Sequence, residues 1–103
     1  MLNGSLPGSI SNRSTGLETL LLGSNQVSGS IPLEIGNLVN LTVLSMENNL
    51  LSGGIPATVG KLQNLFILNL SKNKLSGQIP LSIGNIRQLG KLFLDDNDLS
   101  GSC

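Results

Sequence analysis

Apolar side chains return along this chain at a fixed and unusually long interval. In the stretch Leu65 to Gln88, LFILNLSKNKLSGQIPLSIGNIRQ, Leu65, Leu68 and Leu70 are followed by Leu75, Ile79, Ile83 and Ile86. Shifting the sequence by 24 residues brings Leu41 to Asn64 and Leu17 to Asn40 onto this pattern without a gap, and Leu89 to Cys103 follows as a truncated copy. A fixed self-similarity of this length is the mark of a repeat architecture, in which one unit stacks on the next. The first column reads Leu17, Leu41, Leu65, Leu89, the fourth Leu20, Leu44, Leu68, Leu92, and the sixth Leu22, Met46, Leu70, Leu94. Residues 1–16 contain half a unit, since Leu2, Gly4, Leu6, Pro7 and Ile10 fall in the columns of Val27, Gly29, Ile31, Pro32 and Ile35. The chain therefore reads as one array: a half repeat over 1–16, full repeats over 17–40, 41–64 and 65–88, and a truncated repeat over 89–103.

Within each unit, two local patterns predict two kinds of element. Columns three to five alternate, as in Ile67-Leu68-Asn69, and a period of two over a short segment predicts a strand with one buried face. Every unit returns to the same phase, so successive strands should lie parallel and in register. The second half carries Pro followed four residues later by Gly, as in Pro32-Leu33-Glu34-Ile35-Gly36. Proline just inside and glycine at the end predicts a single short helical or 3₁₀ turn. Between these halves the ninth column holds Asn25, Asn49, Asn73 and Asn97. An amide that both donates and accepts suits a bend that leaves backbone groups unpaired inside a core, so these four are read as a structural ladder.

Composition narrows the function more than the fold. Six basic and six acidic residues cancel, and the cations Arg13, Lys61, Lys72, Lys74, Arg87 and Lys91 are scattered, which argues against nucleic acid or an anionic membrane as partner. No apolar run approaches the roughly 20 residues of a membrane-spanning helix, and Leu-Asn-Gly-Ser-Leu-Pro after Met1 does not read as a secretory signal. Without histidine, and with Cys103 as the one thiol, no nucleophile, base and oxyanion site converge, so the chain is not expected to be an enzyme. Cys103 stands in the column of Ile31, Ile55 and Ile79, where it reads as a small apolar residue or as one half of an intermolecular disulfide. Asp96-Asn97-Asp98-Leu99-Ser100-Gly101 imitates the opening of a calcium loop, but the same columns recur elsewhere in the array, and no metal or cofactor is expected. Four N-x-[ST] sequons, at Asn3, Asn12, Asn40 and Asn69, are possible glycosylation sites, and a glycan on Asn69 would cover the strand face.

The consensus LxxLxxLxLxxNxLSGxIPxxIGxLxx resembles the plant-specific leucine-rich repeat, and nearly the whole chain carries it. The phrases SNQVSGSIPLEIGNLVNLTVL and KLQNLFILNLSKNKLSGQIPLSIGN resemble ectodomain repeats of plant leucine-rich-repeat receptor kinases, a group that includes innate-immunity receptors. The resemblance implies a leucine-rich-repeat solenoid with a parallel, in-register β-sheet on its concave face and short 3₁₀ turns and loops on its convex face. It also implies a second short strand near each Ser-Gly-x-Ile-Pro segment, a parent receptor at the extracellular face of the plasma membrane, and a peptide or protein ligand with a co-receptor as partner. No kinase motif occurs in these residues.

In such a solenoid the variable columns face outward from the concave sheet, which offers an extended curved surface for recognition. The candidate ligand-binding residues are Thr19, Leu21, Val43, Ser45, Glu47, Ile67, Asn69, Ser71, Lys91, Phe93 and Asp95, with Leu21, Val43, Ile67 and Phe93 as an apolar strip. Two roles stay open from the residues, a peptide- or protein-binding module and an array that self-associates through uncapped ends; the resemblance to plant leucine-rich repeats implies a third, an inhibitor of an extracellular enzyme, with which the acids Glu47, Asp95 and Asp96 are compatible.

Overall fold

The computed structural model describes residues 3–7 and 16–100. Among the described residues nine short strands fall into two parallel sheets. The first holds β2 (Thr19–Leu21), β4 (Val43–Ser45), β6 (Ile67–Asn69) and β8 (Lys91–Phe93) in that order. Its pairing is Leu20 to Leu44, Leu44 to Leu68 and Leu68 to Leu92, so each strand meets its equivalent one repeat on without any shift. The second holds β1 (Asn3–Ser5), β3 (Gln26–Gly29), β5 (Leu50–Gly53), β7 (Lys74–Gln78) and β9 (Asp98–Ser100). There Ser28 pairs with Leu50, Ser52 with Lys74 and Ser76 with Asp98, a stagger of two residues from the repeat columns. The in-register expectation thus describes the first sheet, whereas the second is sheared.

The strands form where they do because of what each face buries. Leu44 and Leu68 are wholly buried while their strand neighbours Val43, Ser45, Ile67 and Asn69 are half-buried, so the period-two pattern holds in space. Leu41, Leu65, Met46, Leu70, Leu51 and Leu75 complete a continuous core with Ile35, Val59, Leu38 and Leu62 from the turns. Burying a leucine side chain contributes roughly 1.5–3 kcal/mol, and a chain with only two aromatic residues relies on many such contributions.

On the opposite side from the first sheet, 3₁₀ turns span Leu33–Asn37, Ala57–Lys61 and Leu81–Asn85. Each begins one residue later than the spacing suggests. Pro32, Pro56 and Pro80 stand outside the turn in extended conformation, where the fixed φ of proline directs the chain into it. Successive turns are stacked closely. A methyl group on Gly36 would lie 2.5 Å from the Thr58 carbonyl oxygen, and one on Gly60 would lie 2.5 Å from Ser82 Cβ. Across the same contacts Thr58 Oγ1 donates to the Leu33 carbonyl at 2.7 Å and Ser82 Oγ to the Ala57 carbonyl at 2.8 Å. Gly84, the equivalent residue of the last of these turns, faces open space. There an apolar cavity of about 270 Å³ is lined by Ile79, Leu81, Ile83, Leu89 and Leu92.

At the bend that leaves each first-sheet strand, the backbone enters the left-handed region at Ser24, Asn48, Lys72 and Asp96, with φ between 56° and 58°. The asparagine that follows is held by both ends of its amide. Asn49 Oδ1 accepts from Val27 N at 3.0 Å, while its Nδ2 donates to the carbonyls of Leu22 at 2.8 Å and Met46 at 3.1 Å. Asn73 repeats this with Leu51 N at 3.0 Å and the carbonyls of Met46 and Leu70 at 3.0 and 3.1 Å. Asn97 repeats it with Leu75 N, Leu70 O and Leu94 O. Asn25 donates to Leu22 O and Gly23 O. Each of Asn49, Asn73 and Asn97 therefore joins its own bend to the preceding unit, using polar groups that neither sheet pairs.

Candidate binding face

The outward side chains of the first sheet lie in rows fixed by strand register. One row is Thr19, Val43, Ile67 and Lys91, and beside it runs Leu21, Ser45, Asn69 and Phe93. Leu21 is 65% exposed and Phe93 42% exposed, whereas Val43 and Ile67 are half-buried. Just beyond the strands a third row follows in the sequence, Gly23, Glu47, Ser71 and Asp95. The row Leu21, Ser45, Asn69, Phe93 carries apolar groups at its two ends and polar groups in the middle, whereas in the row Thr19, Val43, Ile67, Lys91 the apolar groups stand in the middle.

Two of those polar groups are tied down. The Ser45 hydroxyl donates to the Glu47 carboxylate. The Glu47 head group lies over Gly23, where an added Cβ would come within 2.6 Å of Glu47 Cδ. Asn69 Oδ1 accepts from both the backbone N–H and the hydroxyl of Ser71, at 3.2 and 2.9 Å. Ser71 is a correction to the sequence reading: expected on the open face, it is only 8% exposed, because its hydroxyl turns back onto Asn69. Lys91 and Asp95 are exposed as their columns suggest.

Phe66 was not among the candidates, because its column otherwise holds Glu18, Thr42 and Gly90. It is 48% exposed and its ring covers Gly90, where an added Cβ would lie 2.9 Å from Phe66 Cδ1. A glycine beside an aromatic in a neighbouring unit was the available signal. A second concavity, of about 620 Å³ and polar, lies along the turn residues Gln63, Asn64, Asn85, Arg87 and Gln88. Among the described residues no group of three or more acidic, cysteine or histidine side chains is placed to hold a metal, and no helix is long and apolar enough to cross a membrane.

Of the sequon asparagines, Asn3 lies on β1, Asn40 is exposed in the turn before β4, and Asn69 ends β6 on the open face. Asn12 and Cys103 fall outside the described residues.

The Leucine Rich Repeat family model matches residues 16–38, 40–62 and 64–86. The chain belongs to the leucine-rich repeat family. Its repeats are of the kind found in plant receptor-kinase ectodomains. Over 45 residues, 44% of this chain and 4% of the relative, it is 58% identical to the LRR receptor-like serine/threonine-protein kinase EFR of Arabidopsis thaliana. The crystal structure of the LRR ectodomain of the Arabidopsis receptor kinase GASSHO1/SCHENGEN3, in complex with CASPARIAN STRIP INTEGRITY FACTOR 2, superposes with a TM-score of 0.95 at 39% identity, covering 99% of this chain and 12% of that one. The Arabidopsis receptor kinase HAESA, solved with the peptide hormone IDA and the co-receptor SERK1, gives a TM-score of 0.92 at 36% identity, covering 97% of this chain and 17% of that one. This leucine-rich repeat array thus spans a small fraction of each relative, and the superposition establishes the solenoid of parallel sheets and 3₁₀ turns.

Proposed function

We propose that the array is a non-catalytic recognition module acting on the extracellular side of a plant membrane, and that it binds a peptide or protein segment on its first sheet. The observation that carries the reading is the row Leu21, Ser45, Asn69, Phe93, whose apolar ends are exposed on the strand face. Exposed apolar groups on a sheet face are candidate contacts for a partner, and relatives of this fold are solved holding peptide hormones. Thr19, Val43, Glu47, Ile67, Lys91 and Asp95 supply the surrounding contacts. Asn40, exposed in its turn, with Asn3 and Asn12, would carry glycans in that compartment, while Asn69 stays bare to receive the ligand. The test is selection of displayed random peptides on the parent chain, followed by binding to Leu21→Glu and Phe93→Glu variants. Selected clones are expected to lose binding to both variants, and clones that hold all three chains equally contradict the assignment of this face.

A further inference from the structure

We propose that the row Leu21, Ser45, Asn69 and Phe93 reads an extended peptide bearing apolar side chains at positions i and i+4 and a cationic side chain between them at i+2. This rests on the binding reading above and adds the ligand's chemistry to it. The four residues stand side by side on β2, β4, β6 and β8. Neighbouring strands lie about 4.8 Å apart, so three steps place Leu21 and Phe93 about 14 Å from each other. An extended peptide advances about 3.3 Å per residue and points alternate side chains to one face, so i and i+4 are separated by about 13 Å and share that face with i+2. A peptide laid across the strands therefore sets its two outer side chains on Leu21 and Phe93, and its middle one over Ser45, Glu47 and Asn69.

That centre has a defined polarity. The Ser71 contacts occupy the Asn69 oxygen, which leaves Nδ2 as the group available to a peptide carbonyl. The Ser45 hydroxyl engages one oxygen of Glu47 and holds the carboxylate over the bare backbone of Gly23, leaving the other oxygen to accept. Any side chain at position 23 would displace it. Toward the Phe93 end, Lys72 and Lys91 are offset by Asp95 and Asp96, whereas Glu47 is the acid at the middle of the face. A half-buried carboxylate held by Ser45 over Gly23 favours Arg or Lys at i+2 and rejects Asp or Glu there.

The experiment uses end-blocked fluorescent heptapeptides with leucine at the second and sixth positions and Arg, Gln or Glu at the fourth. A further Arg peptide has its second leucine moved to the fifth position. Anisotropy titration with the full chain should show the Arg peptide binding about tenfold or more tightly than the Glu peptide, and about tenfold more tightly than the peptide with altered spacing. Glu47→Gln, with unchanged circular dichroism, should abolish the preference for Arg while leaving the spacing preference. Equal binding of the Arg and Glu peptides, a preference that survives Glu47→Gln, or indifference to spacing overturns the proposal. If none of these peptides binds while selected display clones do, the proposal fails and the binding reading stands. If neither binds, both fail.

Discussion

Replacing Asn73 by alanine removes an amide that is 8% exposed and serves four backbone groups. Three of those groups keep another partner. The Met46 carbonyl still accepts from Asn49 Nδ2 at 3.1 Å, the Leu70 carbonyl from Asn97 Nδ2 at 2.9 Å, and the Ser71 carbonyl from Asn48 N at 2.9 Å. The Leu51 N–H loses its acceptor at 3.0 Å, and Leu51 is fully buried. One orphaned buried donor costs about 1–3 kcal/mol, with a smaller addition for three carbonyls left with fewer donors. The expected loss for Asn73→Ala is therefore about 2–3 kcal/mol. Asn97→Ala should cost less, since Asn97 and its contact to Leu75 N are only partly buried. Asn73→Asp is the sharper control. It keeps an oxygen for Leu51 N–H but sets a negative charge against the carbonyls of Met46, Leu70 and Ser71, so it should destabilise at least as much as alanine. Urea unfolding followed by circular dichroism measures all three. An Asn73→Ala midpoint equal to the parent's, or an aspartate variant as stable as the parent, refutes the idea that the amide carries this bend.

Matched glycines separate stacking from conformation. Gly60→Ala should lose stability, because its methyl meets Ser82 at 2.5 Å, while Gly84→Ala, with nothing within 4 Å, should change the unfolding midpoint little. Gly77, at a φ of 78° with open space around it, should lose about 1–2 kcal/mol as alanine through backbone strain alone. Lys72→Gly should gain about 0.5 kcal/mol: relief of left-handed strain at φ 58° exceeds the added entropy of the unfolded glycine. Thermal melts check these four variants, and a Gly84→Ala loss equal to that of Gly60→Ala would show that turn stacking is not the cause.

The sequence by itself determined the repeat, the parallel strands of the first sheet and the inward leucines. All are consequences of one residue pattern returning in phase, and phase alone fixes which side chains face the core. It also marked the variable columns, because a position that reads Leu21, Ser45, Asn69 and Phe93 in successive units keeps no polarity while the strand persists. Only the tertiary structure decided how neighbouring units share groups across the stack. The two-residue shear of the second sheet and the sharing of backbone carbonyls by Asn49, Asn73 and Asn97 depend on contacts between units, and a column read along one unit does not contain them. The same holds for Glu47, whose position is set by the missing side chain of Gly23 in the preceding unit. Periodicity states what each unit buries, and stacking decides where the remaining polar groups find their partners.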